Sequence, residues 1–555
     1  MIKYVCKYTP VELFSGFSQE CSLLDEVADN FEVSERASHI NLCGFGKALM
    51  ESTLSEDTQE LILINCCDTM NRAYDVIDDT KACDFLFMLD LPHQNSDSAA
   101  QELGKRLLRL KNEYAASSGI PFDKEAFLNA FAPTAPSESE PYVGILGVRV
   151  GKQLEETISS LMPLPVRNLT CVSNREFTCD TKAMADMSEE DMFTAYAVAL
   201  LSQFPCGRMG MPEIRCKLFD DKNLKGIIYH SIKFCDYYEF EYVGFKRDTT
   251  LPILKLETDY TRQSEGQLRT RIQAFAETLS GAADTNQVVA KVPTPANTSY
   301  VAGIDSGSAS TDVVIMDTAE NIISTVIAPT GGGANNSAEQ ALSDALSKAA
   351  LSRSDIRVIV KTGYGRDYIA DGDDSVTEIT CHAAGAHFLS AQARTVIDIG
   401  GQDSKVIRID ETGAVQNFVM NDKCAAGTGR FLEMMARALG LTLEQISEIG
   451  LDWEEDITIS SMCTVFAESE VVSLVAQNKA LEDIVHGLNS SVASKVGGLV
   501  NRVSPQEGYI MTGGVAKNRG VVKALEDKLE TNLYICEHAQ LCGAIGAALF
   551  ALERA

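Results

Sequence analysis

The amino-acid sequence predicts an α/β protein of two domains, on the strength of three observations. The chain has 555 residues, which exceeds one ordinary core, since domains hold roughly 100–200 residues. In the first half, short apolar strands alternate with longer helical segments, which indicates helices layered on a largely parallel sheet. From Tyr300 a second pattern begins, in which one strand–turn–strand–strand unit occurs twice.

The N-terminal domain is predicted to span residues 1–281. Its strands are short runs rich in Ile, Leu and Val, at 61–65, 84–91, 143–150, 226–234 and 251–256. Helical segments such as 99–114 and 267–279 lie between them. Residues 282–298 are polar with two prolines, which predicts an interdomain linker. Residues 299–555 then form the second domain.

Composition excludes some partners and bears on the role of the cysteines. The formal net charge is −30, whereas nucleic acid and anionic membranes both require a basic face. We find no signal peptide and no apolar run of about 20 residues, so we expect a cytoplasmic protein without a membrane span. In that compartment the 16 cysteines are not expected to form disulfides. So many thiols favour metal or cluster ligation over inert core positions.

Two predicted strands end in an aspartate followed by a glycine turn. Asp305 lies in GIDSGSASTD and Asp398 in VIDIGGQDSK. Glycine lets backbone N–H groups approach an oxyanion, and an aspartate at a strand end can position Mg²⁺ and the attacking water. One such turn is weak evidence because tight hairpins look alike. A third glycine turn, in YIMTGGVAKN, can pass closely under an adenosine, and the three together indicate an ATP site without a P-loop.

These three motifs resemble the phosphate-1, phosphate-2 and adenosine motifs of the actin–hexokinase–heat-shock ATPase superfamily. The resemblance implies an actin-like ATPase with two ribonuclease-H-like halves that close on ATP and Mg²⁺. At Asp312 the nearest relatives usually have lysine, so phosphate geometry or nucleotide affinity is expected to differ. The candidate catalytic residues are Asp305, Asp398 and Gln402, and the candidate nucleotide contacts are Gly307, Ser308, Ser310, Thr311, Gly400, Gly401, Gly513, Gly514, Lys517 and Asn518.

Two cysteines of the second domain precede predicted helices. Cys381 lies in EITCHAAG before the predicted helix 383–393, and Cys424 in NDKCAAGTGR before 429–439. A thiolate at a helix N-terminus is stabilised by free N–H groups and the helix dipole. A cuboidal cluster takes four thiolates, so a two-fold homodimer that supplies two from each chain would complete the set. Two buried structural thiols are the alternative.

Residues 300–555 resemble the activator, an ATP-dependent reductase, of 2-hydroxyacyl-CoA dehydratases. The matching segments include TGYGR at 362–366, both cysteine motifs and CTVFAESE at 463–470. The resemblance implies a 4Fe–4S cluster that bridges a homodimer through Cys381 and Cys424. It also implies that ATP hydrolysis drives a low-potential electron into a partner, and that Cys463 does not bind the cluster.

Several N-terminal cysteines lie where ligands of α/β sheets are found. Cys66 and Cys67 follow one predicted strand and Cys235 follows another. Because ligands bind outside the carboxyl ends of strands, thiols from distant parts of the chain could converge there, although scattered core cysteines remain the alternative. Three further cysteines lie in turn-like surroundings, namely Cys43, Cys171 and Cys206. Five others have the pattern of structural thiols: Cys6, Cys21, Cys83, Cys179 and Cys216.

Segments of this domain resemble the cluster-bearing component of 2-hydroxyacyl-CoA dehydratases and the related double-cubane cluster proteins. Among them are YTPVELF at 8–14 and CDTMNR at 67–72. In the dehydratases three cysteines bind a 4Fe–4S cluster, and Cys43, Cys67 and Cys235 fit that pattern. Double-cubane proteins use more thiolates for two bridged cubanes. Six candidate ligands result when three more are added, namely Cys66, Cys171 and Cys206.

The resemblances together imply a fused, ATP-dependent iron–sulfur oxidoreductase. A ferredoxin or flavodoxin would reduce the bridging cluster, and ATP hydrolysis would drive the electron into the N-terminal cluster, either 4Fe–4S or a double cubane (8Fe–9S). That cluster would reduce a small-molecule substrate. One alternative is an activator of a separate dehydratase, with the N-terminal part as a docking module. Another is an iron-free, nucleotide-regulated scaffold. A sugar kinase is disfavoured because the cysteine pair has no part in its chemistry.

Overall fold

The computed structural model of the chain describes residues 1–25, 27–39, 41–55, 60–131, 140–173, 175–261, 265–281, 299–422, 424–459 and 464–555. They form two compact units, Met1–Ala276 and Glu277–Ala555. The predicted linker 282–298 and Cys463 lie outside the described residues. Within the described ranges, we find no helix with the length and apolar character needed to cross a bilayer.

The first unit contains two four-stranded parallel sheets with the same strand order. One has the order β2-β1-β3-β4 and the other β6-β5-β7-β8, with every neighbouring pair parallel. The strands are β1 (Ile2–Tyr4), β2 (Cys21–Leu23), β3 (Glu60–Ile64), β4 (Phe85–Leu89), β5 (Tyr142–Gly147), β6 (Val166–Asn168), β7 (Leu224–Ile232) and β8 (Ile253–Thr258). The unit is therefore itself made of two similar halves.

Helices cover these sheets, as parallel sheets require. The α-helices that begin in the first unit are α1 (Val11–Ser15), α2 (Glu32–Ala37), α3 (Gly44–Ser55), α4 (Asp68–Thr80), α5 (Asp97–Ser118), α6 (Lys124–Asn129), α7 (Lys152–Leu161), α8 (Thr181–Ala185), α9 (Glu189–Leu201), α10 (Pro212–Cys216), α11 (Asp236–Asp248) and α12 (Glu265–Gly281). The sequence ELILI of β3 is apolar on both faces, and its last four residues are buried. Helix α5 buries Leu103, Leu107 and Leu110, which recur at the helical spacing.

The second unit also contains two sheets, and they too share one strand order. The first has the order β11-β10-β9-β12-β13 and the second β16-β15-β14-β17. In each, three antiparallel strands are followed by a parallel one. The strands are β9 (Tyr300–Ser306), β10 (Ser310–Asp317), β11 (Ile322–Pro329), β12 (Ile356–Thr362), β13 (Asp374–Ser375), β14 (Thr395–Ile399), β15 (Ser404–Ile409), β16 (Val415–Asn421) and β17 (Tyr509–Thr512). The predicted α/β class and the duplicated strand unit are confirmed.

The helices of the second unit complete two α/β halves. They are α13 (Ala334–Ala349), α14 (Glu378–Leu389), α15 (Gly429–Leu439), α16 (Leu443–Ile449), α17 (Thr464–Ala476), α18 (Leu481–Arg502), α19 (Arg519–Leu529) and α20 (Cys542–Arg554). The predicted helix 383–393 in fact begins at Glu378, five residues earlier. Three short strands of the first unit, β1, β2 and β6, were not predicted, because three residues are too few to show a period.

Candidate functional site

The two predicted aspartates occupy equivalent positions in the two halves of the second unit. Asp305 on β9 is paired with Thr362 on the parallel strand β12. Asp398 on β14 is paired with Thr512 on β17 in the same way, and the Thr512 hydroxyl donates a 2.9 Å hydrogen bond to Asp398 Oδ1. The repeated strand unit therefore places one carboxylate on the central strand of each sheet.

His382, on α14, lies between these two aspartates. Its Nε2 is 3.7 Å from Asp305 Oδ2, and its Nδ1 is 3.3 Å from Asp398 Oδ1. Burial raises the pKa of Asp305, although His382 acts in the opposite direction. Burial would also raise the pKa of Asp398, but His382, Lys405 and the Thr512 hydroxyl hold it below the usual value. The site thus contains one readily ionised carboxylate, Asp398, and a second, Asp305, whose ionised form is disfavoured by burial.

A lysine and an aspartate occupy matching positions beside these carboxylates. On β15, Lys405 is paired with Asp398, and its Nζ lies 3.2 Å from Asp398 Oδ2 and 2.7 Å from Asp403 Oδ2. On β10, the position paired with Asp305 is Asp312. Burial, followed by the charge of Asp305, raises the pKa of Asp312 to about 8. Its buried Oδ1 has no hydrogen-bond partner among the described residues, as expected of a polar atom that a ligand completes.

Both predicted phosphate turns close in the same manner. The Gly307 N–H donates to the Ser310 carbonyl at 2.9 Å, and the Gly400 N–H donates to the Asp403 carbonyl at 3.0 Å. The two turns also approach each other, since a Cβ atom on Gly401 would lie 2.7 Å from the Ala309 Cβ. Ser308 belongs to the same contact, with its Oγ 3.7 Å from that position. These glycines leave room for a close approach of backbone to phosphate.

The third motif joins β17 to α19 and reaches the first turn. Gly513 adopts φ 84°, and a Cβ there would lie 2.4 Å from the Ile399 carbonyl oxygen. Lys517 Nζ donates to Gln540 Oε1 at 2.7 Å, and Gln540 Nε2 lies 3.5 Å from Ser310 Oγ. The candidate nucleotide contacts from the first and third motifs therefore converge.

Three of the predicted site residues have structural partners or lie exposed to solvent. Asn518 caps α19, where its side chain accepts from the Val521 N–H. Thr311 is buried and shares hydrogen bonds with the hydroxyls of Thr330 and Ser337. Gln402 lies exposed in the turn between β14 and β15. Conversely, sequence reasoning missed His382, for which the only signal was its position next to a predicted ligand.

The two predicted cluster cysteines of the second unit differ in accessibility. Cys424 is exposed in the segment between β16 and α15. Cys381 is 0% exposed and packs with apolar residues that include Val301 and Val314. A Cβ on Gly546 would lie only 1.8 Å from the Cys381 carbonyl, so α14 and α20 pack closely there. A cluster shared between two chains needs both thiols at a surface, so Cys381 does not fit the predicted role.

In the first unit, Cys43, Cys67 and Cys235 form one group of thiols. Cys67 lies between the end of β3 at Ile64 and the start of α4, Cys235 lies between the end of β7 at Ile232 and the start of α11, and Cys43 precedes α3. Burial, and to a smaller extent the nearby Cys235 and Cys67 thiols, raise the pKa of Cys43 to about 11. Cys67 differs, because the Cys66 thiol donates a hydrogen bond to it and lowers its pKa to about 6.

Cys6, Cys171 and Cys206 form a second group. Burial, Cys171 and Cys206 together raise the pKa of Cys6 far above its usual value. Burial and then Cys206 raise the pKa of Cys171 to about 11. Cys66 lies between the groups, since its pKa is raised by Cys67 of the first group and by Cys6 and Cys171 of the second. Cys6 was assigned to the structural thiols because β1, which it follows, was not recognised; the rule of strand ends would otherwise have selected it.

Buried cations surround these thiols in a chain of net charge −30. Arg149 and Arg215 are each 2% exposed, and Lys7 is 3% exposed. Arg149 and Lys7 both lower the pKa of Cys171, and Arg208 acts likewise on Cys67. Such cations offset the negative charge that thiolates bring into a buried site. The donor set and its surroundings therefore fit an iron–sulfur cluster.

Within the described ranges, no three His, Cys, Asp or Glu side chains form a group that could hold one metal ion.

A carboxylate on the central strand of each of two duplicated sheets, with glycine turns beside them, defines an ATPase site of the actin–hexokinase class. The chain belongs to the BadF/BadG/BcrA/BcrD ATPase family, whose sequence model matches residues 302–551. The model of the 2-hydroxyglutaryl-CoA dehydratase D-component matches residues 6–139 and 129–279. The predicted resemblance is thereby confirmed for both parts of the chain.

Characterised proteins resemble less than half of this chain each. The 2-hydroxyisocaproyl-CoA dehydratase activator of Clostridioides difficile is 43% identical over 46% of this chain and 96% of its own length. The activator of lactoyl-CoA dehydratase of Anaerotignum propionicum is 46% identical over 46% of this chain and 98% of its own. The crystal structure of (R)-2-hydroxyglutaryl-CoA dehydratase component A of Acidaminococcus fermentans is 42% identical and covers 46% of this chain and 98% of its own, with a TM-score of 0.45.

Proposed function

We propose that this protein is an ATP-driven iron–sulfur oxidoreductase that transfers low-potential electrons to a small-molecule substrate. The observation that carries the proposal is the presence, in one chain, of a paired-aspartate ATPase site and of converging thiols at strand ends. ATP hydrolysis in the second unit drives electron transfer into the thiol site of the first. Fusion of the two units gives them a high effective concentration, so no separate docking affinity is needed.

In the second unit, Asp305 and Asp398 hold Mg²⁺ and orient the attacking water. Asp398, whose pKa is lowered, is ionised at neutral pH and binds the cation. The glycine turns at Gly307 and Gly400 present backbone N–H groups to the phosphates, and Lys405 supplies positive charge. These residues position charge for phosphoryl transfer, which depends almost entirely on such electrostatics.

In the first unit, Cys43, Cys67 and Cys235 hold an iron–sulfur cluster, which supplies one-electron redox chemistry when bound. These three thiols are partly buried, which limits the access of water to the site. Arg208, whose guanidinium lies 3.8 Å from the centre of the Tyr237 ring, favours the ionised form of Cys67, whose pKa the Cys66 thiol lowers to about 6. At Cys235 it acts against burial, which raises the pKa of that thiol.

The exposed Cys424 takes part in the second cluster site, which we place between the two chains of a homodimer. Cys381 is fully buried and does not take part in this site. A ferredoxin or flavodoxin reduces this site in a cytoplasmic, anaerobic setting.

A second candidate function is the activation of a separate dehydratase. The names of the two relatives favour it, since both are dehydratase activators. In this case the first unit serves as a docking module and the electron leaves for another protein.

Iron and acid-labile sulfide per chain, measured on anaerobically purified protein, separate these functions. About two irons per chain indicate only a cluster shared in a dimer, which favours the activator. About six irons per chain indicate one further 4Fe–4S cluster in each chain, and about ten indicate a double cubane instead. Either result supports the oxidoreductase. Protein without iron that still hydrolyses ATP would contradict the redox function and leave a nucleotide-regulated scaffold.

A further inference from the structure

Helix α14, which carries His382, is capped by a side chain from a distant part of the sequence. Its N-cap residue, Thr377, makes no side-chain cap of its own. Instead, the Glu277 carboxylate accepts the Thr377 N–H at 3.1 Å and the Thr377 hydroxyl at 2.5 Å. The same carboxylate also accepts a hydrogen bond from the Thr380 hydroxyl. One acidic side chain thereby holds the whole first turn of α14.

The charge and the burial of this contact suit such a role. The first N–H groups of a helix have no partner within the helix, and a negative charge is favoured there by the helix dipole. Glu277 is half-buried and Thr377 is 2% exposed, so water competes little for these hydrogen bonds. Hydrogen bonds shielded from water are electrostatically stronger than exposed ones. The contact therefore fixes the start of α14 firmly.

The start of α14 determines where His382 lies. His382 follows Thr377 by about 7.5 Å along the helix axis, at 1.5 Å per residue, and it is 6% exposed. Its two ring nitrogens lie 3.7 Å from Asp305 Oδ2 and 3.3 Å from Asp398 Oδ1. Because the intervening residues form one continuous helix, a shift of the first turn moves the imidazole relative to both carboxylates.

Glu277 comes from a part of the sequence that the ATPase family model does not match. That model begins at residue 302, whereas the D-component model extends to residue 279 and includes Glu277. In the fold, however, Glu277 is the first residue of the second unit. The stretch of sequence that is similar to the dehydratase component therefore supplies a residue to the ATPase unit.

We propose that Glu277 is a positioning residue of the ATPase site, which holds α14 so that His382 lies between Asp305 and Asp398. The inference rests on the proposed function, since it concerns the site at which ATP is hydrolysed. It goes further, because it makes hydrolysis depend on a residue outside the ATPase family match. Glu277 touches neither aspartate in this role and acts through His382.

The first test is the ATPase kinetics of full-length Glu277→Ala. We expect kcat to fall by a factor of about ten, because a small misplacement of a group at the reacting centre has a large effect on rate. The KM for ATP should stay the same, since the glycine turns that face the phosphates belong to other elements. Glu526→Ala is the matched control, because Glu526 is also half-buried and accepts a backbone N–H, that of Leu533, at 3.0 Å. Its kcat should equal that of the wild type.

A double-mutant cycle with His382→Asn distinguishes positioning from a general loss of stability. In the His382→Asn background, Glu277→Ala should cause no further fall in kcat, because the group that Glu277 positions is already absent. A residue that only stabilises the unit would lower kcat by the same factor in both backgrounds. Glu277→Gln keeps one acceptor oxygen and should give an intermediate kcat. It replaces Glu277→Ala in the cycle if that variant does not fold.

The outcomes separate this inference from the proposed function. Wild-type protein without ATPase activity would overturn both. An active wild type with equal kcat in Glu277→Ala and Glu526→Ala would overturn only the role of Glu277. The same fall in kcat with and without His382 would overturn it as well, because Glu277 would then not act through the imidazole.

Discussion

The two halves of the second unit have the same order of their first four strands but differ at one matched position, which holds a lysine in one half and an aspartate in the other. In the second half, Asp398 is paired across the strands with Lys405. In the first half, Asp305 is paired with Asp312. The duplicated scaffold therefore fixes where the side chains lie, while single residues decide whether a carboxylate is neutralised or crowded by another acid.

This difference assigns unequal roles to the halves. Lys405 and His382 stabilise the ionised form of Asp398. Asp312, whose pKa is raised to about 8 by burial and by Asp305, is mostly protonated at neutral pH. A protonated carboxyl donates a hydrogen bond and carries no charge, so it can face a phosphate oxygen at the position where the resemblance led us to expect a lysine.

The largest effect is expected from Asp398→Asn. The variant removes the cation-binding charge and one of the carboxylates paired with Lys405, so kcat for ATP hydrolysis should fall by a factor on the order of 10²–10³. Steady-state ATPase assays check this. Asp410→Asn is the control, since Asp410 accepts hydrogen bonds only within its own turn and from Gln416. Equal ATPase activity of Asp398→Asn and Asp410→Asn would contradict the role assigned to Asp398.

The two candidate cluster cysteines of the second unit also differ, since Cys424 is exposed and Cys381 is buried. Cys424→Ser should lose about two irons per chain, which is its share of a dimeric cluster, whereas Cys381→Ser should keep them because the thiol is buried. Iron analysis and size-exclusion chromatography measure both variants. Cys463→Ser, at a position outside the described residues that was expected not to bind, shows whether it is the second ligand. Iron loss in Cys381→Ser would contradict this expectation and favour Cys381 and Cys424 as the two ligands.

A smaller effect is expected from His382→Asn. The imidazole lies within 3.7 Å of Asp305 and 3.3 Å of Asp398, so its removal loosens the alignment of the two carboxylates. Loss of one interaction with a charged group corresponds to about tenfold to a hundredfold in kcat. Kinetics at varied Mg²⁺ test this, and an unchanged kcat at saturating Mg²⁺ would show that His382 only fills space.

The smallest effect on activity is expected from Asp312→Asn, which should change how the stability of the protein depends on pH. Because the folded-state pKa of Asp312 is raised from 3.8 to about 8, its contribution is fully present below the unfolded-state pKa and is lost as pH rises towards about 8. The wild type should therefore lose stability relative to the variant over this range and show no further change above it. Denaturant midpoints of both proteins at several pH values measure the difference. A difference independent of pH would mean that Asp312 titrates normally.

Local patterns in the sequence were enough to locate the candidate aspartates and most of the grouped thiols, but not all of them. Asp305 and Asp398 could be predicted because an aspartate and a glycine turn follow each strand directly. Cys6 could not, since β1 has only three residues and shows no periodicity. Cys381 was expected at a helix N-terminus, but α14 starts at Glu378 and places this residue inside the helix, where it is buried. Contacts between distant segments, such as those of His382 and Lys7, leave no local signal.

The most direct test of the account is whether reduction of the first-unit thiol site depends on ATP hydrolysis. Iron-loaded protein is mixed anaerobically with a low-potential one-electron donor, with or without Mg²⁺ and ATP, and the EPR signal of the first unit is followed. We expect the signal to require ATP and to disappear in Asp398→Asn and with a non-hydrolysable ATP analogue. Equal reduction without nucleotide would contradict the account, because the two units would then work independently.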